Sequence, residues 1–395
     1  MISLSANTVL FRAPLVRVTM GNEITVDAGA RTLITNERAL AILTVFAHPT
    51  TFSDGMGQLG ATGQQDWMDL STALLHLVEI GALRSASAPD AFDETTGFAA
   101  AHIHIAMLND SVRTLAFMRA IRDAVRPDDV VLDIGTGTGV LAVAAAKAGA
   151  RRVYAVEETV IGESAKALFR SNGVEDRVTL IAGRSSRISI PERATVLVSE
   201  LLGNDIFDEQ IIPVIRDARE RLLTPDARLI PSRVSVFALP LEVPPEEYAK
   251  YVPDVTSLRR WTTAYDMEFA GLTGRQDHKA SVFLPAQRTR TWIRLGPPVR
   301  LTEIDLGLAA RASVEGAAVS TMATPGALSG FLLYFNAELN AGLELSMHPD
   351  TAGAESSWKS KIFLLPRPSS VEPGERFQLR YSFQQKSQLD IEPLS

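Results

Sequence analysis

The hydrophobic pattern changes period twice along the chain, and each change marks a different kind of structure. In residues 1–88, alternating runs at 8–11, 16–20 and 23–27, with one more at 31–35, predict short strands. Apolar positions at helical spacing over 37–46 and 66–80 predict helices, the second closed by Gly81. From 89 to 230, apolar runs alternate with helical periods. Strands are expected at 130–134, 152–156, 178–181 and 195–199, with a helix over 140–148 ended by Gly149. After Pro231 the alternation returns at 234–239, 281–284, 330–335, 361–365 and 377–383, broken by proline and glycine turns, which predicts a mostly antiparallel β domain over 231–395. The expected class is α/β, a doubly wound sheet between a small α+β domain and a β-barrel-like one. Ser85-Ala86-Ser87-Ala88-Pro89-Asp90 reads as the first linker.

The sharpest chemical signal lies at the first of the buried strands. Val130-Val131-Leu132-Asp133-Ile134 runs into Gly135-Thr136-Gly137-Thr138-Gly139 and an alanine-rich helix, and the next strand, Val153-Tyr154-Ala155-Val156, ends in Glu157. In a Rossmann-like sheet this is a nucleoside site, with the acid at the second strand tip taking the ribose hydroxyls. The glycines run G-x-G-x-G and follow an acid, whereas a dinucleotide fingerprint runs G-x-G-x-x-G and offers a helix N-terminus to pyrophosphate. Asp133 would repel a pyrophosphate and suits a cationic sulfonium ligand. The expected cofactor is therefore S-adenosylmethionine, held by Asp133, Gly135, Gly137, Gly139 and Glu157. The alternatives on these residues are NAD and a purely structural glycine turn.

Composition narrows the partners. With 395 residues the chain has room for two or three domains, and 46% apolar with 22% charged residues is ordinary for a globular protein. There is no cysteine, so disulfides, thiolate metal sites and cysteine nucleophiles are excluded. His102 and His104 lack a third clustered ligand, and no metal is expected. No apolar stretch approaches the roughly 18 residues a membrane span needs, and Met1-Ile2-Ser3-Leu4-Ser5 does not begin a secretory signal. The expectation is a soluble cytoplasmic protein with no membrane partner. A formal charge of −7 argues against nucleic acid and leaves room for a cationic substrate.

A second motif follows the strand at 195–199. Ser199-Glu200-Leu201-Leu202-Gly203-Asn204-Asp205-Ile206-Phe207-Asp208-Glu209 places four acids in one loop beyond a strand end, beside the expected methyl donor. Two carboxylates on the arms of a tight loop can take a guanidinium through paired N–H···O bonds, fixing its plane. This loop resembles the double-glutamate loop of the protein arginine methyltransferases, with Glu200 and Glu209 as the pair. The resemblance extends upstream to His104-Ile105-Ala106-Met107-Leu108-Asn109-Asp110-Ser111-Val112-Arg113-Thr114 and downstream to Pro225-Asp226, Ile230-Pro231, Tyr334-Phe335-Asn336 and Ser356-Ser357-Trp358-Lys359, covering residues 98–395. It implies that Glu200 and Glu209 are catalytic, that His104, Met107, Arg113 and Ser186 join the cofactor site, and that Asp110, Ser357 and Trp358 serve substrate binding. Arg113 would grip the methionine carboxylate.

The departures are specific. Ser357 replaces the histidine expected opposite Asp110, Ser185-Ser186 replaces the valine-glutamate pair on the adenine side, and Phe98 is the only aromatic residue left of a tyrosine-rich helix. Leu201, Leu202 and Asn204 replace bulky loop residues. Asp205 and Asp208 have no matched role and read as solvated loop acids, Asp110 and Arg113 as a possible i, i+3 surface pair, and Trp358 equally as a core aromatic. Residues 244–266 stand where the resemblance implies a short dimerisation arm, and with it a homodimer.

Strands followed by helices in residues 1–88 resemble the winged-helix domain that recognises leader peptides in ribosomal peptide-modifying enzymes. Residues 1–100 hold five arginines, no lysine and ten acids, a net of −5 that opposes duplex binding but suits a peptide docked by strand addition or in a groove. The alternative is a packing or dimerisation domain. The expected activity is N-methylation of an arginine guanidinium in a peptide, specifically a ribosomally made precursor bound through its leader. The alternatives are a general protein or small-guanidine methyltransferase and a non-catalytic regulatory protein that binds S-adenosylmethionine or a peptide.

Overall fold

The computed structural model describes residues 8–13, 16–20, 24–28, 31–47, 50–60, 63–85, 100–269, 272 and 280–394. The first five residues, Phe98 and positions 86–90 of the expected linker lie outside the described residues. The chain divides into two compact units, Met1–Glu94 and Thr95–Ser395.

In the first unit, Val16–Met20, Ile24–Ala28 and Arg31–Thr35 form an antiparallel meander in which Val18 faces Val26 and Val26 faces Leu33. Val9–Arg12 lies in a second small sheet, between Thr50–Thr51 and Leu83–Ser85. Helices Glu37–Val45, Phe52–Gln58 and Gln64–Glu79 follow the meander. The first starts where the Asn36 side chain accepts the Arg38 N–H at 3.0 Å, satisfying a donor that the first helical turn leaves open. Leu10, Val26, Ile42, Phe46, Leu74 and Leu77 close the core at full burial. The helix Phe52–Gln58 was not expected, because its sequence FSDGMGQ contains two glycines and no helical apolar repeat. Tertiary packing supplies it: Gly55 and Met56 are buried.

The second unit opens on a five-stranded parallel sheet in the order Leu223–Ile230, Ala194–Val198, Val130–Ile134, Arg152–Glu157, Val178–Ala182. All five residues of Val130–Ile134 are buried, as a central parallel strand covered on both faces requires. The edge strand Leu223–Ile230 was not expected. Pro225 gives up a ladder donor there, a loss tolerated at an edge, and the pairing with Ala194–Val198 is irregular between Ala194 and Val196. Strand order reverses between Val130–Ile134 and Ala194–Val198, so the crevice for a ligand opens at their carboxyl ends.

The rest of the unit is antiparallel. Ala280–Pro285, Lys359–Val371, Gly326–Asn340, Arg233–Glu242 and Ile293–Arg294 pair in that order, with Val299–Asp305 and Leu343–Ser346 added to the long strands. Val314–Thr321, Arg376–Phe383 and Ser387–Leu394 make a further sheet. Phe331, Leu332, Ile362 and Leu379 are fully buried and continue the core of the parallel sheet. Residues 244–266 carry two helices, Pro245–Tyr248 and Val255–Tyr265. Among the described residues, no helix is long and apolar enough to cross a membrane.

Candidate active site

A cavity of about 460 Å³ lies at the carboxyl ends of Val130–Ile134 and Arg152–Glu157. The glycine turn forms its floor. Gly135, Gly137 and Gly139 have φ of 76°, 53° and 86°, which residues with a Cβ rarely adopt. Gly137 is also held by contact, since a Cβ there would meet the His104 ring at 3.0 Å. Gly139 points elsewhere: it begins the helix Val140–Lys147 against Phe169 and does not line the cavity.

Glu157, 7% exposed, closes the second strand. One of its oxygens accepts the Gly137 N–H at 2.9 Å, and the other accepts the Thr159 N–H and hydroxyl at 2.9 and 2.8 Å. The carboxylate is thus oriented before any ligand arrives, with lone pairs left for hydroxyl donors. Ser185 and Ser186, on a short 3-10 turn, line the same cavity.

Two helices form the opposite wall. Ala101–Asn109 and Ser111–Ala124 meet at Asp110, whose side chain accepts the Arg113 N–H at 3.2 Å and so caps the second helix. Asp110 is 2% exposed and also accepts from Ser357, through the backbone N–H at 3.1 Å and the hydroxyl at 3.5 Å. The position expected to hold a histidine therefore keeps contact with the acid. Arg113 is not a surface residue. Its Nη1 donates to Glu200 at 2.7 Å, its Nη2 to the Met107 carbonyl at 2.6 Å, and its guanidinium lies 5.4 Å from the Trp358 ring centroid. Trp358 is buried, donates its indole N–H to the Leu202 carbonyl and packs edge-on against Phe335.

Glu200 and Glu209 both line the cavity. Burial raises the Glu200 carboxyl above its ordinary range against the opposing pull of Arg113. Glu209 is pushed up to about 8, first by burial and then by the negative charge of Glu200. Among the described residues nothing donates a hydrogen bond to the Glu209 carboxylate. One acid of the pair thus holds the Arg113 guanidinium, and its neighbour holds none.

Of the other expected residues, His104, Met107, Arg113, Gly135, Gly137, Glu157 and Ser186 line the cavity. Asp110, Ser357 and Trp358 stand behind it. Asp133 does too: it is 1% exposed, accepts the Thr136 hydroxyl at 2.6 Å and is pushed up to about 7 by burial. It braces the turn from beneath. Asp208 is exposed, as expected of a loop acid, but Asp205 is not solvated: it is 6% exposed and pairs with Lys361 at 2.6 Å. The sequence missed Thr159, which orients Glu157, and Leu201, Gln210 and Arg184, which line the cavity. The loop position two residues after Glu157 was the available signal for Thr159.

The family description Ribosomal protein L11 methyltransferase (PrmA) matches residues 113–233, the parallel sheet and its site loop. An Arginine N(omega)-methyltransferase of Streptomyces achromogenes subsp. streptozoticus is 31% identical over 287 residues, spanning 70% of this chain and 74% of that protein. The Protein arginine N-methyltransferase PRMT10 of Oryza sativa subsp. japonica is 31% identical over 310 residues, 70% of this chain and 79% of the relative. Among solved structures, the Trypanosoma brucei PRMT1 enzyme-prozyme heterotetrameric complex with AdoHcy shares the fold at a TM-score of 0.64 and 22% identity, covering 76% of this chain and 100% of that one. With a glycine turn, an acid at the second strand tip and two partly buried glutamates on one cavity, and with relatives of this identity and coverage, the chain belongs to the S-adenosylmethionine-dependent arginine N-methyltransferases.

Proposed function

We propose that the chain methylates an arginine guanidinium held between Glu200 and Glu209. The observation that carries this reading is that Glu200 already binds a guanidinium, that of Arg113, inside the cavity, beside a Glu209 whose carboxylate accepts no hydrogen bond among the described residues. S-adenosylmethionine, when bound, supplies a methyl group on a positively charged sulfur that leaves as a neutral thioether. The donor set fits it: Glu157 for the ribose hydroxyls, Ser186 on the adenine side, the Gly135–Gly137 turn for close backbone approach, and Arg113 for a carboxylate. Arg113 would hold that carboxylate, and a turn of its guanidinium away from Glu200 would leave Glu200 free for the acceptor. The two glutamates then hold positive charge on the guanidinium nitrogens that do not react, leaving the attacking nitrogen richer in electrons. That nitrogen's proton becomes acidic only as the new bond forms, so no strong base is needed beforehand, and the Glu209 carboxylate, whose pKa is pushed up to about 8, would receive it.

Glu157→Ala tests the cofactor assignment. It removes both the diol acceptor and the Gly137 brace, so calorimetric affinity for S-adenosylmethionine should fall at least about tenfold, equivalent to roughly 1.4 kcal/mol. Unchanged affinity would remove Glu157 from the site.

The finer part of the proposal is the acceptor: arginine in a ribosomally made precursor whose leader docks on residues 1–88, a domain separate from the cofactor domain at 89–230 and the β domain at 231–395. The lysine-free composition of this segment, its meander and the exposed Trp67, Met68 and Leu75 on Gln64–Glu79 support a peptide partner. Deleting residues 1–88 is expected to spare cofactor binding and to abolish efficient use of a leader-bearing precursor, because tethering raises the acceptor's effective concentration to about the millimolar range. Equal activity of the truncated chain on full precursor, with no saturable binding of labelled leader, would favour a small guanidine acceptor, the reading the name of the Streptomyces relative supports. A homodimer through 244–266 belongs to the same proposal; Val255 and Tyr265 there are 64% and 61% exposed.

A further inference from the structure

We infer that Asp205 and Lys361 are a positioning pair for the loop that carries Glu200 and Glu209, an inference that rests on the proposed guanidinium clamp. The loop folds back at its tip, where Gly203 and Ile206 exchange backbone hydrogen bonds of 3.2 and 3.0 Å. Asn204 and Asp205 occupy the turn, between the two glutamates in sequence. Ile206 has φ 60°, a left-handed conformation that a β-branched residue keeps only where its surroundings impose it.

The β domain supplies those surroundings. Asp205 Oδ2 accepts from Lys361 Nζ at 2.6 Å and from the Ser387 N–H at 3.0 Å, and Lys361 also donates to the Ser387 carbonyl at 3.2 Å. The ammonium lies 5.3 Å from the ring centroids of both Phe283 and Phe363. Beside it Asn204 accepts the Lys359 N–H at 2.7 Å. The side chains of Lys361 and Asp205 are only 7% and 8% exposed, and neither residue lines the 460 Å³ cavity. Apolar contact alone would seal this junction without desolvating two charges. What a buried, hydrogen-bonded pair adds is direction: it holds the loop tip at one place on the β domain, and with it the spacing of two carboxylates that must meet one planar cation.

The test is a double-mutant cycle with Asp205→Asn and Lys361→Met, each removing a charge at nearly constant shape. The readout is the affinity of N-acetyl-L-arginine amide for protein saturated with S-adenosylhomocysteine. S-adenosylhomocysteine stoichiometry counts folded molecules, so a variant that folds in part still reports. Each single variant should bind the arginine probe at least about tenfold more weakly with S-adenosylhomocysteine affinity within about twofold, and the double variant, which leaves no charge unpaired, should lose no more than about threefold beyond the worse single one. A pair that only stabilises the fold would lower the folded fraction and leave probe affinity alone. Wild-type affinity in the double variant, or losses that multiply, would overturn the inference while Glu200→Gln and Glu209→Gln still fail to bind the probe. Wild-type binding by those two glutamine variants, or no binding by the wild type, would overturn the clamp reading instead.

Discussion

Glu200→Gln and Glu209→Gln should each cut methyl transfer by about 10²–10³, equivalent to roughly 2.7–4 kcal/mol, while S-adenosylmethionine affinity stays within about threefold. Glutamine keeps the size of each arm and removes the charge that orients the guanidinium. The two variants differ in the free protein, because Glu200→Gln also deprives Arg113 of its partner at 2.7 Å. Steady-state transfer with each variant, beside calorimetry of the cofactor, checks both halves. Near-normal turnover in both variants would end the clamp account.

Acceptor binding should also depend steeply on pH. Glu209 lies in a buried site facing Glu200, with Asp208 adding further repulsion and only Arg113 opposing it, and is pushed up to about 8. A guanidinium needs the ionised form. With S-adenosylhomocysteine bound, so that no sulfonium charge is present, acceptor affinity should rise about tenfold per pH unit from 6 towards 8 and level off above it. A flat profile would remove Glu209 from the acceptor site. For stability the sign is opposite. The folded pKa lies above the ordinary value of 4.5, so this group's contribution is fully present below 4.5 and is lost as pH rises through about 8. Asp133, raised to about 7, adds to the same loss over the lower part of that window. An acceptor cation reverses the Glu209 part, which makes thermal stabilisation by acceptor largest at alkaline pH.

What the sequence displays well is contiguous. Val130–Ile134, the glycines after it and Glu157 are encoded within 28 residues, and their chemistry follows from a buried strand, a turn and a strand tip. The alternating segments after Pro231 likewise become antiparallel strands. What it hides is contact across the chain. Arg113 reaches Glu200 across 87 positions, and Lys361 reaches Asp205 across 156, so no local pattern distinguishes Asp205 from a solvated acid. Asp133 misleads for the reverse reason: it is adjacent to the turn in sequence, yet strand alternation sets it beneath the turn against Thr136. Leu223–Ile230 and Phe52–Gln58 were hidden because proline and glycine weaken local propensity while packing supplies the structure.

The central claim is chemical, that one nitrogen of a guanidinium receives the methyl group under the hold of Glu200 and Glu209. It is tested most directly by incubating the protein with S-adenosylmethionine carrying a carbon-13 methyl group and an arginine-containing peptide, then locating the label by mass spectrometry and NMR. The account predicts label on a guanidinium nitrogen with the wild-type chain and almost none with Glu200→Gln or Glu209→Gln. Label on any other atom, or on that nitrogen at equal rates in all three proteins, would contradict it.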